Sequence, residues 1–497
     1  MELFALEEIL PLLVAAAAIA IPALASYHII DSKDDVRAAI GWAGLVWLVP
    51  FIGTILYLLF GINRIRRKAA RVRRHRGSNQ PEQEHEGQGE AASGGGPPLQ
   101  ALFPEAGEAM KAQAEMMGRI TRLPLTPGND IRFLDGGDEA YPSMLKAIND
   151  ATQSVALATF IFDYDRAGKQ FVEALKAAVE RGVEVRVLID GVGELYHFPS
   201  SWRMLRRAGV PVQRFNRSIM PWRMAYLNLR NHRKILVADG RIGFTGGMNL
   251  RQGNFRDARP GNAIRDMHFR LEGPVVGHLM EVFAIDWSFA ASENLEGEAW
   301  FPRDLDDHGP GNNPGSAVAR GVPDGPDEDL NKISWAILSG LGMARRSIKI
   351  VTPYFLPDKI IVAALSHAAL RGVRVDIILP ARSNLKIVDW ASRAQYAQVL
   401  EQGCHIHHLP PPFDHTKLLL VDDIWLLFGS SNWDPRSLRL NFEFNVECYD
   451  RALAGALAAN ISRRIAAAKQ VTLAEVRSKH PFRRARDGVA WLFSPYL

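Results

Sequence analysis

The chain contains the same pattern twice, and this constrains its fold more than any other feature. Ser154-Val-Ala-Leu-Ala-Thr-Phe-Ile-Phe162 matches Ser347-Ile-Lys-Ile-Val-Thr-Pro-Tyr-Phe355, and both read as buried strands. A helical stretch follows each. The first runs from Gly168 to Arg181, with Phe171, Ala174, Leu175 and Ala178 on one face; the second runs from Lys359 to Arg371. Then Arg181-Gly-Val-Glu-Val-Arg-Val-Leu-Ile189 matches Arg371-Gly-Val-Arg-Val-Asp-Ile-Ile-Leu379, where glycine closes the helix and a new strand begins. Strand, helix and strand in this order predict a βαβ unit with parallel pairing in each copy, so the fold class is α/β. Residues 302–329, rich in Gly, Pro, Asn and Asp, read as the linker between the copies.

A chemical motif repeats in the same register. His232-Arg-Lys234-Ile-Leu-Val-Ala-Asp239 and His415-Thr-Lys417-Leu-Leu-Leu-Val-Asp422 share the spacing His-x-Lys-x4-Asp. At equal offsets downstream, Gly246-Gly247-Met248-Asn249 matches Gly429-Ser430-Ser431-Asn432. On a strand, side chains alternate between faces, so His232 and Lys234 point the same way, as do His415 and Lys417. Asn249 and Asn432 join them if each motif forms a hairpin with the following strand, and Asp239-Gly240 is a favoured hairpin turn. Asp239 and Asp422 complete the motif and are carried with its catalytic set. Their offset nevertheless puts them on the opposite face, in the turn, which points to a structural role.

Two imidazoles, two lysines and two amides suit a phosphodiester. One imidazole attacks phosphorus and the other protonates the leaving oxygen. The lysines and amides offset charge on the phosphoryl oxygens. The lysines supply the positive field that a cation would otherwise supply, so neither a metal nor a cofactor is expected. Each histidine needs an acceptor on its other ring nitrogen, and Asp266 and Glu443, which follow the two motifs, are candidates. Asp414, beside His415, is expected to raise the pKa of that imidazole. Gly247 stands where the second copy has Ser430, so the two halves are not equivalent.

The other end of the chain is apolar. Residues 9–30 and 38–62 contain no Asp, Glu, Lys or Arg, and each run is long enough to cross a bilayer of about 30 Å. Trp42, Trp47 and Tyr57 suit interfacial anchors. Arg64, Arg66, Arg67, Lys68, Arg71, Arg73, Arg74 and Arg76 follow, and the positive-inside rule places them and the body in the cytoplasm. The chain carries a formal charge of +5, so with these eight cations set aside the remainder is net acidic, a poor match to nucleic acid. Residues 77–98, rich in Gly, Gln, Glu, Ser and Pro, read as a flexible tether. Two cysteines, Cys404 and Cys448, exclude a disulfide framework and a Cys-rich zinc site. Just before the first motif, Arg217-Ser-Ile-Met-Pro-Trp222-Arg-Met-Ala-Tyr226 mixes aromatic, Met and Arg residues in a way that suits a lipid interface or a loop over the site.

With these residues in view, the chain resembles the bacterial cardiolipin synthases of the phospholipase D superfamily over nearly its whole length. The segments from Gly41 to Arg66, Thr352-Pro-Tyr-Phe-Leu-Pro-Asp358, Trp390-Ala-Ser392 and Phe493-Ser-Pro-Tyr-Leu497 carry the likeness, beside the two motifs. The resemblance implies two phospholipase D-like halves around a pseudo-dyad, each a mixed sheet flanked by helices, preceded by a transmembrane helical hairpin. It implies the domain order 1–76 hairpin with its basic segment, 77–98 linker, 99–301 first half, 302–329 linker and 330–497 second half. It further implies transfer of a phosphatidyl group between two phosphatidylglycerol molecules, through a phosphohistidine, to give cardiolipin and glycerol. His232 and His415 are then nucleophile and acid/base. Lys234, Lys417, Asn249 and Asn432 bind phosphate, and Ser430 and Glu443 support the second motif. The expected partners are anionic phospholipids and the bacterial inner membrane, crossed more than once, and not nucleic acid. The competing activities are hydrolysis to phosphatidic acid and nuclease action; the oligomeric state is not legible.

Overall fold

Repetition in the sequence becomes symmetry in one sheet. The computed structural model describes residues 2–33, 36–61, 99, 107–196, 199–216, 230–259, 261, 263–303, 315–326 and 331–494. The basic run 64–76, the tether 77–98 and the Trp222 loop lie outside them. The first half supplies β1 (Thr126–Asp135), β2 (Ser154–Thr159), β3 (Glu184–Asp190), β4 (Val212–Phe215), β5 (Ile235–Ala238), β6 (Ile242–Gly246), β7 (Ile264–Arg265) and β8 (Met267–Glu272). The second supplies β9 (Ala317–Asp324), β10 (Ser347–Val351), β11 (Arg374–Pro380), β12 (His405–Leu409), β13 (Phe413–Asp414), β14 (Leu418–Val421), β15 (Trp425–Gly429), β16 (Glu443–Tyr449) and β17 (Lys469–Val471). Fifteen of them form one sheet. From its centre outward the order is β1, β8, β6, β5, β2, β3, β4 on one side and β9, β16, β15, β14, β10, β11, β12 on the other, with β17 added at that edge. The pseudo-dyad passes between β1 and β9, which pair antiparallel.

Both expected βαβ units form. β2 pairs parallel with β3 around the helix Arg166–Glu180, and β10 pairs parallel with β11 around Lys359–Leu370. The helices begin alike, since the Asp165 carboxylate accepts from the amides of Ala167 and Gly168 and that of Asp358 from Ile360 and Ile361. They end alike at Gly182 (φ 86°) and Gly372 (φ 87°), a left-handed conformation that glycine adopts without cost.

The boundary between the copies differs from the expectation. The segment read as the linker 302–329 contains β9, every residue of which is buried. β9 pairs with β16 along its length and with β1, so it is the first strand of the second half. Its Arg320 is buried with Glu447, Nη2 to Oε2 at 2.8 Å, and Glu447 also accepts from Tyr449 at 2.7 Å. The Gly, Pro and Asp around β9 hid a strand whose apolar residues are Ala317, Val318, Ala319 and Val322. One core is common to the halves: the Phe269 and Phe428 rings stack at 3.7 Å beneath the helices Val275–Ala291 and Arg451–Ala467. Two further cores, one per half, fill the opposite face.

The helices before residue 62 form a separate compact unit. Among the described residues, Pro11–Ser32 is the one helix long and apolar enough to cross a membrane. The second apolar run is not continuous: Val36–Leu48 ends at Val49, where φ and ψ are −135° and 75°, and Pro50–Leu56 begins a new helix that passes into a π turn, Tyr57–Gly61. Proline cannot donate to the preceding turn and its ring clashes there. Tyr57 is buried rather than free as an anchor, its hydroxyl 2.6 Å from His28 Nδ1 and its ring edge-on to Trp42.

Candidate active site

Each motif leads into a strand rather than lying within one. His232 and Lys234 sit on the extended approach to β5, and His415 and Lys417 on the approach to β14. Asn249 and Asn432 sit in the loops after β6 and β15. All six side chains belong to buried residues or to His415 at the edge of burial. They come together because the approach segments cross the pseudo-dyad. His232 N donates to Phe442 O at 2.9 Å, and His415 N donates to Arg265 O at 2.7 Å. Short parallel pairings hold both crossings, Asn231 with Phe442 and β13 with β7.

The crossing exchanges the carboxylates. Glu443 of the second half lies 3.1 Å (Oε2) from Nδ1 of His232 in the first. Asp266 of the first half lies 2.8 Å from Nδ1 of His415 in the second. Both carboxylates are buried, and burial alone raises a carboxyl pKa. The facing histidine and lysine charges overcome this and hold Glu443 and Asp266 below the usual range. An ionised carboxylate only accepts, so each Nδ1 carries the proton and each Nε2 keeps its lone pair.

The surroundings of the two pairs differ. Ser430 Oγ donates to Glu443 Oε2 at 2.5 Å and Asn441 Nδ2 to Oε1 at 3.0 Å, so both oxygens are held. At the matching place a Cβ on Gly247 would stand 2.5 Å from Asp266 Oδ1, so only glycine leaves room for that carboxylate. Asp266 accepts instead from the amide of Met267 at 2.8 Å.

Burial and the lysines lower both histidines, His415 to about 4. Burial lowers Lys234 to about 7 and Lys417 to about 8. Lys417 acts electrostatically on His232 and Lys234 on His415, so the two motifs share one field. Each lysine also donates to the carbonyl of its own histidine, at 2.6 Å for Lys234 and 2.5 Å for Lys417. Aromatic rings border the imidazoles: Phe160 lies 5.0 Å from His232, and Tyr354 lies 6.5 Å from His415.

Asp239 and Asp422 stand apart from this group. The Asp239 carboxylate accepts from the amides of Thr152, Gln153 and Ser154, and that of Asp422 from Arg345, Arg346 and Ser347. Each ties its hairpin turn to the start of a neighbouring strand, and both occupy positive φ, 53° and 52°. The expected action of Asp414 on His415 is also corrected. Asp414 Oδ2 is bound by Arg464 Nη1 at 2.7 Å, and burial sets the direction at His415, downward.

Sequence reasoning missed the anchors of the two approach segments. In the first half Arg233 Nη1 donates to Asp286 on the helix Val275–Ala291 at 2.7 Å, and Arg233 Nε donates to Glu443 O. In the second half the polarity is inverted: Asp414 is on the segment and Arg464 on the helix Arg451–Ala467. The only trace in the sequence is the pair of charges flanking the histidines, Arg233 and Asp414.

A duplicated α/β fold with paired His-x-Lys motifs across a pseudo-dyad defines the phospholipase D class. A family described as "Cardiolipin synthase, PLD-like domain" matches residues 144–287 and 337–465, and one described as "Phospholipase_D-nuclease N-terminal" matches residues 20–61. Cardiolipin synthase A of Pseudomonas putida strain GB-1 is 31% identical over 477 residues, covering 95% of this chain and 96% of that protein. Cardiolipin synthase 2 of Staphylococcus epidermidis is 30% identical over 474 residues, 92% of each. The crystal structure of phosphatidylserine synthase from Haemophilus influenzae aligns with a TM-score of 0.60 at 15% identity, over 78% of this chain and all of that one, and supports the fold. The chain belongs to the cardiolipin synthase family of the phospholipase D superfamily.

Proposed function

We propose that the chain is a phosphatidyltransferase that makes cardiolipin and glycerol from two phosphatidylglycerol molecules. The exchange of carboxylates across the pseudo-dyad is the observation that carries the reading, because it makes one site from two histidines. In the first half-reaction Nε2 of His232 attacks phosphorus, an N–P bond forms, and the P–O bond to glycerol breaks. His415 gives its proton to the departing oxygen. In the second, His415 takes the proton from a hydroxyl of another phosphatidylglycerol, whose oxygen attacks phosphorus as the N–P bond breaks. Both imidazoles are held neutral in the free site, which suits a nucleophile. An arriving phosphodiester brings negative charge and raises the pKa of His415, which readies it as the acid. The double grip of Ser430 and Asn441 on Glu443 favours His232 as the nucleophile, since its orientation is the more fixed. Lys234, Lys417, Asn249 and Asn432 offset the phosphoryl charge.

The apolar unit anchors the enzyme. In this reading Pro11–Ser32 crosses the bilayer and the kinked second run returns, which leaves the body on the cytoplasmic side with the basic run. Purified protein incubated with phosphatidylglycerol decides the reaction. Cardiolipin with glycerol supports transfer, phosphatidic acid assigns hydrolysis, and neither product refutes both. Removing residues 1–76 should release the body from membranes under high-salt and carbonate washing; retention there refutes the anchor.

A further inference from the structure

The helix Pro481–Leu492 carries apolar residues on its outer side. Its inner face is already occupied: Asp487 and Ala490 are buried, and Ala490 packs with Ala391 of the helix Lys386–Leu400. The Arg486 guanidinium lies 4.4 Å above the Trp390 ring. On the opposite side Phe482, Val489 and Leu492 are 81, 55 and 69% exposed, and Phe493, which follows, is 53% exposed. Steps of seven, three and one residues keep these four on one helical stripe. The solvent face of a helix in a soluble body is ordinarily polar. Arg483, Arg484 and Arg486 share the helix with the stripe and Lys479 precedes it, and the one carboxylate of the segment, Asp487, is bound by Lys479 and Arg486.

The location of the helix gives the stripe a role. Its partner helix Lys386–Leu400 borders a small cavity lined by Tyr354, Val388, Ser392 and Tyr396. The Tyr354 hydroxyl donates to Asn384 Oδ1 at 2.8 Å, and the Tyr354 ring stands edge-on to His415. Leu385 and Ile387, at the start of that partner helix, are also exposed. The stripe therefore belongs to the helical layer beside the second histidine.

We propose that residues 481–493 form an interfacial helix that lays Phe482, Val489, Leu492 and Phe493 into an anionic bilayer surface beside the site. Charge complementarity selects this occupant, since an apolar stripe on a helix whose charged residues are mostly cationic matches anionic headgroups over acyl chains. Four side chains cover far less than the roughly 800 Å² per partner of a stable protein interface. The inference rests on the phospholipid reading above, and its test has a readout independent of turnover.

Val489→Cys in the full chain, labelled with an environment-sensitive fluorophore, reports lipid contact directly. Cys404 and Cys448 are buried, which directs the label to position 489. In phosphatidylglycerol vesicles the emission should shift to the blue and be quenched by doxyl-labelled lipid, and more weakly in phosphatidylcholine vesicles. Hydrated emission without quenching overturns the proposal. Cross-linking between two copies at position 489, without lipid quenching, also overturns it and assigns the face to a second copy. As a functional arm, Phe482→Glu with Leu492→Glu should lower turnover on vesicles roughly tenfold and leave turnover of dispersed short-chain phosphatidylglycerol unchanged; an equal loss on both overturns it. If quenching occurs but no cardiolipin forms, the lipid surface stands and the assigned reaction fails.

Discussion

His232 and His415 have the same local sequence spacing and different partners, and the difference can be tested one carboxylate at a time. Glu443→Gln keeps the shape but removes the charge that orients and stabilises the His232 imidazolium. Covalent capture of an activated phosphatidyl donor should fall by roughly 10²–10⁴-fold, the usual span of general acid–base help. Asp266→Asn should leave capture of a donor with a good leaving group and lower turnover by a comparable factor. Mass spectrometry of briefly exposed protein, with steady-state rates, separates the two; the reverse pattern makes His415 the nucleophile. The lysines give a second prediction. Lys234 is lowered to about 7 and Lys417 to about 8, by burial above all. Raising the pH through this window removes positive charge from the site, so kcat/KM should decline there. An ordinary lysine would hold its charge to near 10.5, and a decline that begins only there would contradict the buried, paired arrangement.

At the scale of elements, the turns and the central strands bear load without touching the chemistry. Asp422 holds three backbone amides at the start of β10. Asp422→Ala leaves them short of an acceptor, which costs about 1–3 kcal/mol per unsatisfied buried group. The melting temperature should fall while kcat/KM of the folded fraction stays near that of the unaltered enzyme. A loss of activity as deep as that of a histidine variant would return Asp422 to the catalytic set. β9 makes a sharper case. Arg320→Leu strands the buried Glu447 without its cation, and breaking such a pair costs about 3–5 kcal/mol. A chain of this kind is expected to express poorly, and Arg320→Leu with Glu447→Leu should recover much of the loss, as read by thermal unfolding.

Across the whole molecule, burial of imidazoles sets the response to acid. His268, His278, His408 and His415 are each lowered from 6.5 to about 4, by burial first. Between these values the unfolded chain holds protons that the folded chain does not, so stability rises with pH across the window. The contribution is complete above about 6.5 and is lost progressively as pH falls toward 4. Melting temperature in detergent should climb steadily from pH 4 to 6.5. His278→Gln, outside the catalytic set, should flatten the slope; His278 Nδ1 accepts from Gly321 at 3.2 Å, and an amide oxygen is able to replace it. A slope unchanged by this substitution would remove His278 from the account.

The sequence by itself determined the parts that repeat. Equal spacing announced two βαβ units and two His-x-Lys motifs with Asn249 and Asn432 at equal offsets, because local periodicity and turn chemistry are written in neighbouring residues. These asparagines nevertheless sit in the loops after β6 and β15 rather than on the strands expected. The resemblance to a known family drew on the same local signals. Other features were decided only by the tertiary structure, since they depend on residues far apart in the chain meeting across the pseudo-dyad. Glu443 and Asp266 serve the histidine of the other half, a pairing over separations of 211 and 149 residues that no local pattern encodes. Arg233 and Arg464 anchor the two segments with opposite polarity, which the sequence shows only as unpaired charges. β9 read as linker because its glycine, proline and aspartate are typical of loops, while the strands on either side, β1 and β16, supplied the hydrogen bonds that make it a strand. Propensity acts along the chain, but hydrogen-bond satisfaction and burial act across it, and at the centre of this sheet the second prevailed.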